Sequence, residues 1–173
     1  MGMRERHPLR GRVRLILRDV RSGEVVQESV VSNVVMTKGS ELVARRFCGE
    51  PADPIVAVGV GTDEADPQDG NLDDLKAPVE DGDSVPERAG IQPISGATSY
   101  VFTDPATGSA TVKFEATFEA AKANGALVEA GVFNNLAGGV LYNRVTFPVI
   151  NKTDTHELTL IWEITISAET TGG

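Results

Sequence analysis

From Val112 to Phe118 apolar and polar residues alternate without interruption, with Val112, Phe114, Ala116 and Phe118 set against Lys113, Glu115 and Thr117. Only an extended backbone, which sends successive side chains to opposite faces, sorts that order into one dry side and one wet side. The same period returns at Val13, Leu15 and Leu17 against Arg12, Arg14 and Arg18, and again at Leu158, Leu160, Trp162, Ile164 and Ile166. A helix would scatter these residues around its circumference. The chain therefore has to build a sheet with a buried face. The expected class is all-β, an antiparallel β-sandwich with jelly-roll-like strand spacing.

Turn chemistry divides the rest of the chain. Arg21-Ser22-Gly23 separates the first alternating strand from Val25–Val31, its expected hairpin partner at a meander edge. Asn124-Gly125 separates Val112–Phe118 from Leu127–Phe133, which reads as a second antiparallel hairpin. Asn134-Asn135 with Gly138-Gly139, and then Asn151 to Asp154, set off Val140–Val149 and the last strand, so that four successive strands are expected in one antiparallel sheet. Roughly eight strands in all suit a sandwich. Between Thr37 and Cys48 the period changes: Val43 and Phe47 lie four apart, Ser40 or Thr37 can cap, Glu41 suits the first turn and Gly49 the end, which predicts one short helix over about residues 40–48. Ile55–Gly61 is a continuous apolar run of strand length, as a fully buried strand would be. Residues 62–97 form a long acidic loop, with nine acids from Asp63 to Asp83 and with Leu72, Leu75 and Val79 expected to lie down on the body.

A chain of 173 residues, 40% of them hydrophobic, fills one core. The expected organisation is a basic arm over residues 1–10, one sandwich domain over 11–169 and a tail over 170–173. The net charge of −9 is unevenly divided: residues 1–21 hold seven arginines against Glu5 and Asp19, a net of +5, which leaves −14 for the remainder. That split singles out Arg4, Arg6, Arg10, Arg12 and Arg14, with Asp63, Asp66, Asp69, Asp73 and Asp74, as interaction residues between a copy of the chain and its neighbours. Nucleic acid is the weaker partner for the arginines, because the acidic body repels phosphate and no aromatic residue lies among them to stack on bases. No apolar run of about 18 residues is present, so no membrane span is expected. Cys48 is the lone cysteine, is read as a small buried hydrophobe, and fits assembly in a reducing cytoplasm.

The reactive constellations fail one after another. His7, His156 and Cys48 make no zinc set, no nucleophile elbow occurs, and Gly59-Val60-Gly61 lacks the third glycine and the following helix of a dinucleotide site. Glu115 and Glu119 share a strand face with Lys113 between turns of ordinary alternation, which describes a solvated surface. A cation at the acidic loop is a lesser alternative, since placing Gly70 or Gly82 at the centre of an EF-hand puts Ala65 or Ala77 at the first ligand position. No catalytic residue, cofactor or metal is assigned. Sugar platforms are reduced to Tyr100 and Tyr142, because Trp162 shares the core parity of Leu160 and Ile164.

Residues 55–62 (IVAVGVGT), 112–118 (VKFEATF), 125–134 (GALVEAGVFN), 138–150 (GGVLYNRVTFPVI) and 158–166 (LTLIWEITI) stand in a fixed order, with Lys152 after the fourth. The layout, E-A-G-x-F-N followed by G-x-L-x-x-R-x-x-F-x-x-I-x-K and W-x-I, resembles that of small structural proteins of tailed phages and phage-tail-like particles. It covers about the C-terminal two thirds of the chain. The resemblance implies a non-enzymatic virion subunit of the tail, neck or baseplate region. Such a subunit assembles symmetrically with copies of itself and other virion proteins in the host cytoplasm. The alternatives are a capsid decoration protein and a module that binds a host receptor or glycan. Glu129, Gly131, Phe133, Asn134, Arg144 and Trp162 then read as structural motif residues, with Arg144 paired to Glu129 or Glu163.

Overall fold

A computed structural model of the chain describes residues 9–91, 101–104, 106 and 108–167. In chain order these form β1 (Leu9–Asp19), β2 (Val25–Val35), α1 (Thr37–Phe47), β3 (Ala57–Gly61), β4 (Arg88–Gly90), β5 (Val101–Asp104), β6 (Ser109–Phe118), β7 (Gly125–Phe133), β8 (Leu141–Lys152) and β9 (His156–Ser167). The class is all-β with a single short helix among the described residues, and every strand pair is antiparallel. No helix among them is long and apolar enough to cross a membrane.

One continuous sheet runs β4-β3-β7-β8-β2-β1-β9-β6-β5 and folds over on itself. The fold line is β2, whose residues from Val25 to Asn33 pair with β1 while Val34 and Val35 pair with Arg144 and Asn143 of β8. Two layers result, β5-β6-β9-β1-β2 and β8-β7-β3-β4. The alternation seen in the sequence supplies their shared core: Val13, Leu15 and Leu17 from β1, Phe114, Ala116 and Phe118 from β6 and Leu158, Leu160 and Trp162 from β9 meet Val58, Val60, Ala130, Val132 and Phe147 of the other layer. Phe114 and Trp162 stack with centroids 6.3 Å apart. A second, smaller cluster of Met36, Leu75, Phe133 and Leu141 lies outside this core, with Leu72 packed against it, so the acidic segment does lie down on the body.

Several expectations change. β6 and β7 are not a hairpin: β6 pairs with β9 and β5, while β7 pairs with β3 and β8, so the connection over 119–124 crosses between layers. Likewise the last four strands do not share one run of neighbours; β7 and β8 pair in one layer and β6 and β9 in the other. Period two fixes which face of a strand is dry but not which strand pairs with it, and two strands with equally apolar inner faces are as well buried facing each other as side by side. β1 and β2 do pair, but they occupy the middle of the order rather than its edge. The segment 62–97 also contains β4, an edge strand on β3, and the bridges Gly61↔Pro78 and Glu80↔Pro86. The helix begins at Thr37, with Met36 as N-cap and no side-chain cap; Thr37 Oγ1 bonds Asn71 Oδ1 instead, at 2.8 Å. Gly49 closes it in the left-handed region (φ 71°), as glycine allows. Phe47 is 79% exposed, and Cys48 is exposed rather than buried, because the apolar stripe of α1 ends before the last turn reaches the sheet.

Candidate functional site

The densest polar constellation in the body is built on the outer face of β7 and β8. Glu129 and Gly131 project there together because β7 puts alternate residues outward, and Arg144 of β8 sits opposite Gly131. Glu129 is fully buried and Arg144 is 1% exposed. Arg144 Nε donates to Glu129 Oε2 at 2.8 Å, while its two terminal nitrogens donate to the carbonyls of Asp66 (3.0 Å), Ala65 (3.0 Å) and Asp63 (3.3 Å). Glu129 in turn accepts the backbone N–H groups of Lys76 (3.2 Å) and Ala77 (2.9 Å). The pair thus grips the acidic segment at both of its limbs. Gly61 makes the grip possible, since a Cβ there would meet Glu129 Oε1 and the Ala77 carbonyl. Gly131 does the same for Leu141 and Leu75. Of the two partners the sequence leaves open for Arg144, the structure selects Glu129.

Two further cations, Lys152 of the motif and Arg88 outside it, work the same way. Lys152, 2% exposed, donates from Nζ to the carbonyls of Glu119 (2.8 Å) and Ala120 (3.2 Å) and to Asn124 Oδ1 (3.0 Å), holding the 119–124 crossing. Burial pulls its pKa down, while Glu87, Asp154 and Glu157 oppose that shift from a distance. Arg88 of β4 lies over the Phe133 ring, 3.5 Å from its centroid, and donates to the carbonyls of Asn135 and Gly138. Asn134 closes the same turn by accepting the Val140 N–H at 2.7 Å. Of these, Arg88 and Lys76 were not singled out by sequence, and Gly61 was named only as part of the apolar strand run. The two cations carry no sequence signal that distinguishes them from solvated lysines and arginines.

The acidic residues are largely turned inward onto their own segment. Asp63, Asp69 and Asp74 accept the N–H groups of Ala65, Asn71 and Leu75, and Asp81 accepts those of Asp83 and Val85. Asp66 pairs with Lys76 at 2.7 Å, and that hydrogen bond holds its carboxyl below the usual range. Asp74 lies 3.6 Å from Arg88. Glu64, Asp73, Glu80 and Asp83 are exposed. Among the described residues no three of His, Cys, Asp and Glu converge as a metal set would require.

The arginine strand lies on the opposite face of the sandwich. Arg12 pairs with Glu163, Arg14 with Glu28 at 2.8 Å and Arg18 with Glu157 at 3.8 Å. Glu163 also takes Lys113 at 2.7 Å, and that bond, ahead of Arg12, holds its carboxyl below the usual glutamate range. Arg10 is exposed at the end of β1, and Arg4 and Arg6 lie outside the described residues, as does Tyr100. Tyr142 is 6% exposed and carries no open ring face. An apolar groove of about 700 Å³ runs between α1 and the ends of β6 and β9, lined by Leu42, Phe47, Ile55, Ile91, Phe114 and Ile164. None of the interaction residues named from the charge division lines it. No family model, curated protein or solved structure matches the chain.

Proposed function

We propose that the chain is a non-enzymatic structural subunit of a tailed-phage virion or phage-tail-like particle, in the tail, neck or baseplate region. The observation that carries this reading is the use made of its buried charges. Glu129, Arg144 and Lys152, the charged residues of the collinear motif, direct their hydrogen bonds to the chain's own backbone, to one another and to Asn124. They stiffen a displayed acidic segment and offer no poised group to a substrate. A reaction needs convergent groups facing a space a substrate can enter; here the convergent groups face chain.

The acidic segment and the arginine strand occupy opposite faces of the sandwich, which suits a head-to-tail contact between successive copies, the kind that closes rings or extends tubes. Because Arg12, Arg14 and Arg18 already hold glutamates of their own sheet, the end of β1 at Arg10 and the residues before it supply the positive side of that contact. The test is antibody or gold labelling of intact particles from the source phage. Label at the tail, neck or baseplate supports the proposal. Label spread over the capsid lattice makes the chain a decoration protein instead, and its absence from purified particles rejects a virion role.

A further inference from the structure

Strand β2 has two edges, and only one of them is fully paired. Val25 to Asn33 pair with β1, whereas on the other side only Val34 and Val35 meet a strand, at Arg144 and Asn143 of β8. The direction of the free groups follows from the register. Met36 N–H donates to the Tyr142 carbonyl at 3.0 Å, and Val34 stands opposite Arg144 two residues back in the same ladder. Backbone groups alternate in direction along a strand, and the register with β1 is unbroken from Asn33 to Gln27. Ser32, Val30 and Glu28 therefore turn their N–H and C=O groups away from β1. Among the described residues no backbone group meets them there.

Unpaired edges are ordinarily short, or blunted by proline or charge. The ends of the sheet follow that rule, with three residues in β4 and four in β5. So does β8 past Arg144, where Pro148 has no N–H to offer and the Val149 carbonyl accepts Gln27 Nε2 at 3.1 Å. The edge of β2 is different. Between Val25 and Ser32 it contains no proline and one charge, and Val26 and Val30 are 55% and 54% exposed. Such an edge is a template for another strand.

The order of side chains names that strand. Reading outward from Glu28, Gln27 matches Ser29, Val26 matches Val30 and Val25 matches Val31. A strand with this symmetry sets polar against polar and apolar against apolar when it lies antiparallel to its own copy. We propose that the outer edge of β2 is a self-association site, where Val26–Val30 of one copy pairs antiparallel with the same residues of a second copy across a two-fold axis at Glu28. The contact is isologous, since each copy offers the same residues, and it joins the β5-β6-β9-β1-β2 layers of two copies into one sheet. Glu28 then faces Glu28 of the second copy, a like-charge pair that opposes pairing. Arg14 offsets this by holding each carboxylate at 2.8 Å within its own sheet. Pairing that stops at Val30 leaves β8 its place beside Val34. The inference does not rest on the virion reading, whose head-to-tail contact uses the arm and the acidic segment and leaves β2 free.

Sedimentation of the full chain over a concentration series, with Val30→Pro and Val30→Glu alongside, tests the contact. The Val30 N–H points away from β1, so proline removes an edge donor without removing a β1 bond, and glutamate adds like charge at an exposed position. The wild type is expected to dimerise, and each variant to weaken the dimer by about tenfold or more. Should Val30→Pro fail to fold, Val30→Glu decides alone. The axis is tested by Glu28→Cys in a Cys48→Ser background. Facing Cα atoms there lie about 5.5 Å apart, a separation a disulfide spans, so a disulfide-linked dimer is expected. Val30→Cys in the same background faces Val26 and is expected to give none. A wild type that stays monomeric overturns the proposal, and Glu28 and Val30 amides slow to exchange in that monomer would assign the edge to another part of the same chain. A dimer unaffected by either Val30 variant, or one cross-linked through Val30→Cys rather than Glu28→Cys, overturns it as well.

Discussion

Arg144 shows how much one buried side chain can organise. Its five donors in a rigid fork allow it to bind Glu129 and three carbonyls of the acidic segment together, which a lysine at that position would not reproduce. Removing one partner of such a pair leaves a charge stranded in the interior. Arg144→Met is therefore expected to lower unfolding free energy by about 3–5 kcal/mol in urea titrations; a loss under about 1 kcal/mol, the typical effect of an arbitrary substitution, would show that Glu129 and the loop find other partners. At the surface, Glu163 provides a pH signature. Its carboxyl is held low, first by the hydrogen bond from Lys113 and then by Arg12. The folded state thus binds its proton less readily than the unfolded chain, so the stabilisation is complete above the ordinary glutamate value of 4.5 and is lost as pH falls through the lower folded value. Glu163→Gln is expected to flatten the fall of the urea midpoint between about pH 5 and about pH 3. An unchanged slope would assign the acid sensitivity to other carboxylates.

Among the elements, α1 and the 119–124 crossing illustrate why local rules need their surroundings. Gly39 lies inside α1, where alanine ordinarily stabilises a helix by about 1 kcal/mol. Here its added Cβ would press on the Tyr142 carbonyl of β8, and Val35 lies close by. Gly39→Ala is expected to destabilise by about 1–3 kcal/mol, reversing the usual sign; a rise in thermal midpoint would mean that α1 is free to move off β8. The crossing depends on Lys152, whose ammonium satisfies two carbonyls and one amide oxygen. Replacement by Met keeps the stem and removes the donors. Lys152→Met is expected to cost about 2–4 kcal/mol and to raise amide hydrogen exchange selectively over residues 119–125. Global loss of protection without that local excess would contradict a role confined to the crossing.

For the molecule as a whole, the charge division of the sequence becomes a division of faces, with the acidic segment over β7 and β8 and the arginine strand on β1. Leu9, the first of the described residues, pairs with Ile166, so a truncation that keeps every described strand pair removes no more than residues 1–8. If the chain is the particle subunit proposed above, deletion of residues 1–8 is expected to leave the thermal midpoint within about 2 °C, a shift well under that of a 1 kcal/mol change, while abolishing incorporation into particles or head-to-tail self-association by sedimentation. Loss of soluble, folded protein would place those residues in the domain itself. Normal assembly after the deletion would shift the contact to Arg10 and the acidic segment alone.

Much of this fold was legible because strand alternation is a local property: which residues of β1, β6 and β9 are dry, that Trp162 lies in the core, and that Leu72 and Leu75 pull the acidic segment down. Glu129, Gly131 and Arg144 could be named as a group only through the resemblance of their layout, and not yet as a clasp. Pairing was not legible. That β6 chooses β9 over β7, that β2 changes layers, that Cys48 ends outside, and that most loop aspartates cap their own backbone all depend on what approaches from distant parts of the chain. A repeat of two residues is enough to decide the inside and outside of a strand, since backbone geometry alone enforces it. The choice of neighbour is decided by competition between surfaces of similar apolarity, and there a few long-range polar contacts, Arg144 to Glu129 and Lys152 to the 119–124 carbonyls, tip the balance once the layers have closed.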